Sequence, residues 1–240
     1  MKMHVREDYD AMCDYVAERL IAHIQKKPNS VLGLATGSTP EGVYTRLVKA
    51  VQDGRVSFKH VRTFNLDEYI GINQNHPQSY HTYMTEKLFK HIDIDPKQCH
   101  LPKGFGDLEA QCEAYETALK THPIDIQLLG IGRNGHIGFN EPKTAFNTTT
   151  HVVKLDAATV KDNARFFTHP EEVPTQAITM GIQSILAAKS IVLMASGDAK
   201  REAIERLLSG EITEDLPASA LHHHEDVHLV IDGILSEKVL

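Results

Sequence analysis

Val31-Leu32-Gly33-Leu34-Ala35, running directly into Thr36-Gly37-Ser38-Thr39-Pro40, is the stretch whose reading decides the fold. A short apolar run bounded by turn residues reads as a strand buried on both faces. The glycine, hydroxyls and proline that follow signal a turn into a helix, with Pro40 at its first position and Ser38 or Thr39 as its cap. Val43, Tyr44, Leu47, Val48 and Val51 carry that helix onward at helical spacing. A buried strand feeding a helix is the building unit of a parallel sheet covered on both faces.

The unit recurs on either side. Upstream, Asp8 caps a helix in which Met12, Val16, Leu20 and Ile24 form one face, ended by Pro28-Asn29-Ser30. Downstream, a strand over residues 61–66 delivers Asp67-Glu68-Tyr69 at its end, and helices are predicted over 80–91 and 108–119, the second with Leu108, Cys112, Tyr115 and Leu119 inward. Pro123 precedes a strand over 124–130. Residues 143–150 read as polar and irregular, 160–167 as helix, 177–180 as strand and 182–188 as a short helix. A strand over 190–195 turns through Ser196-Gly197-Asp198 into a helix over 199–208, and 227–231 is a last strand. Such alternation implies right-handed crossovers. The expected fold is α/β, a three-layer α/β/α arrangement with a mainly parallel, Rossmann-like sheet, as a single domain over 1–240 with a lid around 143–170.

Composition narrows the class. At 240 residues, 41% hydrophobic and 24% charged, the chain can bury a full core and has ordinary globular proportions. A net charge of −7 offers no basic field for nucleic acid or an anionic membrane. Cys13, Cys99 and Cys112, without CxxC spacing, argue for a reducing compartment and against a disulfide framework. The N-terminus does not read as a signal peptide and no apolar run reaches membrane length, so the cytoplasm is the expected location.

In a parallel sheet, ligands bind beyond the carboxyl ends of the strands. Every unusual loop of this sequence falls at such an end. The most unusual is Gly130-Ile131-Gly132-Arg133-Asn134-Gly135-His136-Ile137-Gly138-Phe139-Asn140-Glu141-Pro142. It offers an amide, an imidazole and a carboxylate in a glycine-rich turn, suited to acid–base chemistry near neutral pH or, more plainly, to a tight turn with a satisfied histidine. Its Gly130-x-Gly132-x-x-Gly135 mimics a dinucleotide fingerprint, but no helix signal follows and no acid stands 20 residues on, which excludes that reading. The Thr36–Pro40 turn is either a phosphate cradle at a helix N-terminus or an ordinary turn. Asp67 is placed to act on a ligand or sits in a solvated loop. Arg165 and Lys200 are phosphate contacts or surface cations. His222-His223-His224 fits a polar turn better than a metal site, since adjacent histidines point apart.

Together these stretches resemble the glucosamine-6-phosphate deaminase family. Residues 32–40, Phe64-Asn65-Leu66-Asp67-Glu68-Tyr69 and Gly132 to Pro142 match its motifs in order and spacing, as do Asn163-Ala164-Arg165-Phe166-Phe167 and the Ser-Gly-x-x-Lys turn ending at Lys200. The resemblance covers nearly the whole chain. It implies conversion of glucosamine 6-phosphate and water to fructose 6-phosphate and ammonia, with no metal or organic cofactor. Asp67 is then the base at carbon 2, and His136 with Glu141 opens the pyranose ring. Gly37, Ser38, Thr39, Arg165 and Lys200 hold the phosphate. The implied partner is a small amino sugar phosphate, with no nucleic acid and no membrane; monomer and homo-oligomer both stay open.

Two departures stand out. Asn134 occupies a place where larger members carry aspartate, and an amide can orient an imidazole without accepting its proton. Residues 147–153 lack the basic side chains with which allosteric members bind an effector, so a short, non-allosteric form is expected. Other readings on related folds are a sugar-phosphate sensor, a 6-phosphogluconolactonase and an isomerase of another amino sugar phosphate; the Asp67 and Gly138-Phe139-Asn140-Glu141-Pro142 stretches favour the deaminase.

Overall fold

The computed structural model describes residues 1–164 and 167–239. Among the described residues the elements are β1 (Lys2–Arg6), α1 (Tyr9–Lys26), β2 (Val31–Leu34), α2 (Glu41–Gln52), β3 (Arg62–Asn65), β4 (Asp67–Tyr69), α3 (Tyr80–Lys87), β5 (Cys99–His100), α4 (Leu108–Thr121), β6 (Ile126–Gly130), β7 (His151–Lys154), α5 (Ala157–Ala164), β8 (Gln176–Thr179), α6 (Ile182–Leu186), β9 (Ser190–Ala195), α7 (Arg201–Leu208), β10 (Val227–Asp232) and α8 (Gly233–Val239). Seven strands form one parallel sheet in the order β1-β10-β9-β6-β2-β3-β5. Among the described residues no helix is long and apolar enough to cross a membrane.

The three layers follow from the two-residue period of the strands. Leu128, Val192, Met194 and Val230 pack with Met12, Val16 and Leu20 of α1 and Leu47 of α2 on one face. Their neighbours Leu129, Ile191, Leu193, Leu229 and Ile231 pack with Leu119 of α4, Ile204 and Leu207 of α7 and Leu235 of α8 on the other. Both faces are apolar, so each central strand reads as an unbroken hydrophobic run. Truncating one such leucine to alanine costs about 2–5 kcal/mol.

Several expectations need correction. Asp67-Glu68-Tyr69 is itself a strand, β4, in a second, antiparallel sheet of order β4-β8-β7. The helix expected over 80–91 stops at Lys87, and Phe89–His91 is a 3-10 turn. The helix expected from residue 199 begins as a 3-10 turn over Asp198–Lys200, with α7 starting at Arg201. Pro40 precedes α2 rather than opening it, and no side chain caps that helix. The Ser38 and Thr39 hydroxyls are therefore not engaged in capping. Strands β1 and β5 and helix α8 were not expected: β1 and β5 are short and half exposed, without the apolar runs that marked the central strands.

Candidate active site

The chain direction diverges at β2. One neighbour, β3, continues to β5, while the other, β6, continues through β9 to β10. A crevice opens between the loops after β2 and β6, the position where parallel α/β sheets bind ligands. The loops after β2, β3, β6 and β9 all lie at this edge, and they hold the candidate residues.

The loop after β6 is built around one imidazole. A side chain on Gly132 would place its Cβ only 2.2 Å from Cε1 and 2.3 Å from Nδ1 of His136, so the ring lies flat against a backbone that must be glycine. Gly132 N–H donates to the His136 carbonyl at 2.8 Å and Gly135 N–H to the Gly132 carbonyl at 3.1 Å, which closes the turn. Gly135, at φ +84°, adopts the left-handed conformation such a turn needs. No helix follows it, only an isolated bridge between Ile137 and Asn140, consistent with the exclusion of a dinucleotide site.

Asn134 fixes the histidine's tautomer. Its Nδ2 donates to Glu141 Oε2 at 2.6 Å, so the Oδ1 atom is the one facing His136 Nδ1, 2.8 Å away. An amide oxygen only accepts; the imidazole hydrogen therefore sits on Nδ1, and a neutral ring keeps its lone pair on Nε2. Glu141 Oε2 lies 3.5 Å from Nδ1. The amide thus stands between base and carboxylate as a two-handed spacer.

Asp67 enters from the second sheet. Paired with Thr179 of β8, it is buried, and its Oδ2 lies beside Gly138 of the histidine loop. Burial pushes its carboxyl up to about 8, and the neighbouring Glu68 adds to the shift. Among the described residues no cation pairs with it. Glu68 points elsewhere: its carboxylate accepts from the N–H groups of Tyr69, Tyr80 and His81 at 2.8–3.0 Å and so anchors the start of α3. Adjacent acids in one motif have been given separate tasks.

The loops are tied together through residues that sequence reading missed. Thr179 Oγ1 accepts from Phe139 N–H at 3.1 Å, and Asn140 Nδ2 donates to the Met180 carbonyl at 2.8 Å, joining the histidine loop to β8. Nothing local in the sequence announces a partner 40 residues away.

Gly37, at φ +87°, and Ser38 are exposed, and Thr39 is half-buried. Ser38 and Thr39 share a groove of about 470 Å³ with Ser196 of the turn after β9. Lys200 is half-buried in that turn; burial and the nearby Arg133 hold its pKa below the ordinary lysine range. Among the described residues neither cation has an ion-pair partner. Arg165 lies outside the described residues. Of the histidine cluster, His222 Nε2 bonds the Leu207 carbonyl and His224 Nε2 that of Ala188, a structural use.

A three-layer α/β sheet whose carboxyl-edge loops carry a buried carboxylate and an imidazole is the architecture of an enzyme acting on a small ligand. The model of the family described as glucosamine-6-phosphate isomerases/6-phosphogluconolactonase matches residues 6–230, and the chain belongs to that family. It is 50% identical over 234 residues to a glucosamine-6-phosphate deaminase of Oceanobacillus iheyensis, covering 97% of this chain and 94% of that one. It is 49% identical to glucosamine-6-phosphate deaminase 1 of Bacillus subtilis, covering 97% of each chain. A solved structure described as a monomeric glucosamine-6-phosphate deaminase superposes with TM-score 0.95 at 48% identity over 99% of both chains. The 6-phosphogluconolactonase of Thermotoga maritima, at 19% identity and TM-score 0.77, shares the fold.

Proposed function

We propose that this chain converts glucosamine 6-phosphate and water to fructose 6-phosphate and ammonia. The observation that carries the reading is Asp67: a buried carboxyl with no cation beside it among the described residues, held up to about 8, next to the loop that presents His136. A carboxylate so placed suits abstraction of a carbon-bound proton, because a base with raised pKa has more driving force for the transfer.

The roles follow the geometry. Nε2 of His136, its tautomer set by Asn134, passes a proton from the anomeric hydroxyl to the ring oxygen and opens the pyranose. Glu141 stabilises the transient imidazolium. Asp67 then takes the hydrogen on carbon 2, acidified by the carbon 1 aldehyde, and returns it to carbon 1. As a nitrogen-bound proton passes to the carbon 1 oxygen, the amine-bearing carbon becomes an imine; water adds to it, and ammonia leaves with the ketone formed. The Gly37-Ser38-Thr39 turn, Lys200 and Arg165 hold the phosphate, which stays unchanged and supplies orientation. In the 143–170 segment β7 is anchored to β8, which argues against β7 itself closing over the site. Residues 147–153, lacking arginine and lysine, support a non-allosteric form.

Ammonia release from glucosamine 6-phosphate by the purified protein, followed with and without a chelator, tests the reaction. Chelator-insensitive release with stoichiometric fructose 6-phosphate is expected; no release from folded protein overturns it. Asn134→Ala is expected to lower kcat about 10–100-fold, because the ring opener loses its orientation. An unchanged kcat would remove Asn134 from the relay.

A further inference from the structure

The turn that leads from β2 to α2 is held from behind by tyrosines on three different helices. Tyr44 of α2 donates its hydroxyl to the Ala35 carbonyl. Tyr83 of α3 donates to the Gly37 carbonyl at 2.6 Å. Tyr9 of α1 donates to the carbonyls of Ser38 and Thr39, each at 3.0 Å, and accepts from Gly42 N–H at 3.1 Å. Four carbonyls of one short turn are thus engaged by phenols, none of which was singled out by the sequence motifs.

This matters because a peptide unit is rigid. In a planar trans peptide the carbonyl of one residue and the N–H of the next point in opposite directions, and the chain contains no cis peptide among its described residues. Pinning the Gly37 carbonyl aims the Ser38 N–H away from Tyr83; pinning the Ser38 carbonyl aims the Thr39 N–H away from Tyr9. Among the described residues neither amide has an acceptor in the protein. The phenols also draw the carbonyl dipoles, which would repel an anion, to the far side of the turn. Gly37 sits at φ +87°, and with no Cβ its backbone is free to adopt other conformations unless the turn is restrained.

We infer that Tyr9 and Tyr83 are positioning residues that preorganise the Gly37-Ser38-Thr39 turn as a cradle for the substrate phosphate. The inference rests on the proposed reading of that turn as the phosphate site and adds what keeps its amides aimed. Preorganised donors avoid the reorganisation that a mobile loop must undergo at binding. Both phenols stay donors at any working pH, since burial pushes Tyr9 up to about 12 and Tyr83 higher still.

The test uses Tyr9→Phe and Tyr83→Phe, which remove one oxygen and keep the ring, with Tyr15→Phe as a control. Tyr15 bonds His4, away from the crevice. The probes are inorganic phosphate, by calorimetric binding and by competition, and glucosamine 6-phosphate turnover. Each clamp variant is expected to raise KM and the phosphate dissociation constant together by about 5–20-fold, with kcat within about threefold and the control unchanged. Loss of kcat with phosphate binding intact, or no change in either constant, overturns the inference. Absence of phosphate binding by the unmodified protein also overturns it. If phosphate binds and weakens as expected but no ammonia is released, the clamp stands and the proposed reaction falls. The two tyrosines lie on separate helices, so one variant carries the test if the other fails to fold.

Discussion

Asp67 and Asp125 are the same residue, both buried, 7% and 3% exposed, at opposite edges of the molecule's parallel architecture. Asp125 precedes β6 at the amino edge of the sheet. Burial pushes its carboxyl up, but Lys189 and Lys27 at 2.6–2.7 Å and the Val31 N–H at 2.9 Å outweigh that and bring it down to about 2. Asp67, at the carboxyl edge, has no such partner among the described residues and stays up at about 8. One aspartate is a joint that ties α1, β2, β6 and β9 together. The other is left with its desolvation uncompensated, which is the condition a proton-abstracting base requires. Asp125 stands at the amino edge of the parallel sheet, and Asp67 beyond its carboxyl edge in the second sheet.

The comparison can be broken by exchanging what each carboxyl does. Asp67→Asn is expected to lower kcat by about 10³–10⁴, some 4–5 kcal/mol in the barrier, while phosphate still binds; ammonia release beside calorimetry checks both. Retained turnover would take the base role from Asp67. Asp125→Ala should act oppositely: kcat stays, and stability falls by about 2–3 kcal/mol, the loss of a buried partner discounted because both lysines reach solvent. A urea melt with an assay on the same sample decides this.

Smaller effects sharpen the contrast. A raised folded pKa means that Asp67's contribution to stability is complete below its unfolded value of 3.8 and is lost as pH rises through about 8. Asp67→Asn should therefore be more stable than the unmodified protein at pH 8, by about 1–2 kcal/mol, with the advantage vanishing near pH 4; thermal melts across that range measure it. Asp125 behaves in reverse, stabilising above its unfolded value and losing that only as pH falls toward about 2. The smallest effect is kinetic. kcat/KM should rise with pH toward about 8 as Asp67 ionises, and the kcat profile should lie lower on the pH scale because a bound substrate ammonium favours the carboxylate. A kcat/KM flat between pH 6 and 8 would contradict the shift.

What the sequence revealed divides along similar lines. The central strands and their helices were legible because Val31–Ala35, 124–130 and 190–195 are apolar runs closed by turn residues, and α1 repeats its core residues on one face. The second sheet was not, since β4 has three residues and β7 mixes His151 and Lys154 with two valines. Asp67 and His136 stood out by type and place. That Asp67 is buried with no cation beside it among the described residues, and that Asn134 bridges His136 and Glu141, depend on packing which no local pattern encodes. The hydroxyl partners of the β2 turn come from Tyr9 and Tyr83, 28 residues upstream of Gly37 and 46 downstream of it, where they read as ordinary core aromatics.

The pairing of β1 with β10, Lys2 against His228 through Arg6 against Asp232, has a consequence for how the molecule comes into being. Among the described residues β1 pairs only with β10, so a strand made early pairs with one made much later. At about 5–20 residues per second it waits on the order of 10–45 s for its partner. During that wait Met3 and Val5 are open to any passing strand edge. Lys2, His4 and Arg6 alternate with them, a spacing of charge that discourages the wrong match. Closing the seven-stranded sheet thus depends on a pairing of large sequence separation, at its seam rather than at its crevice.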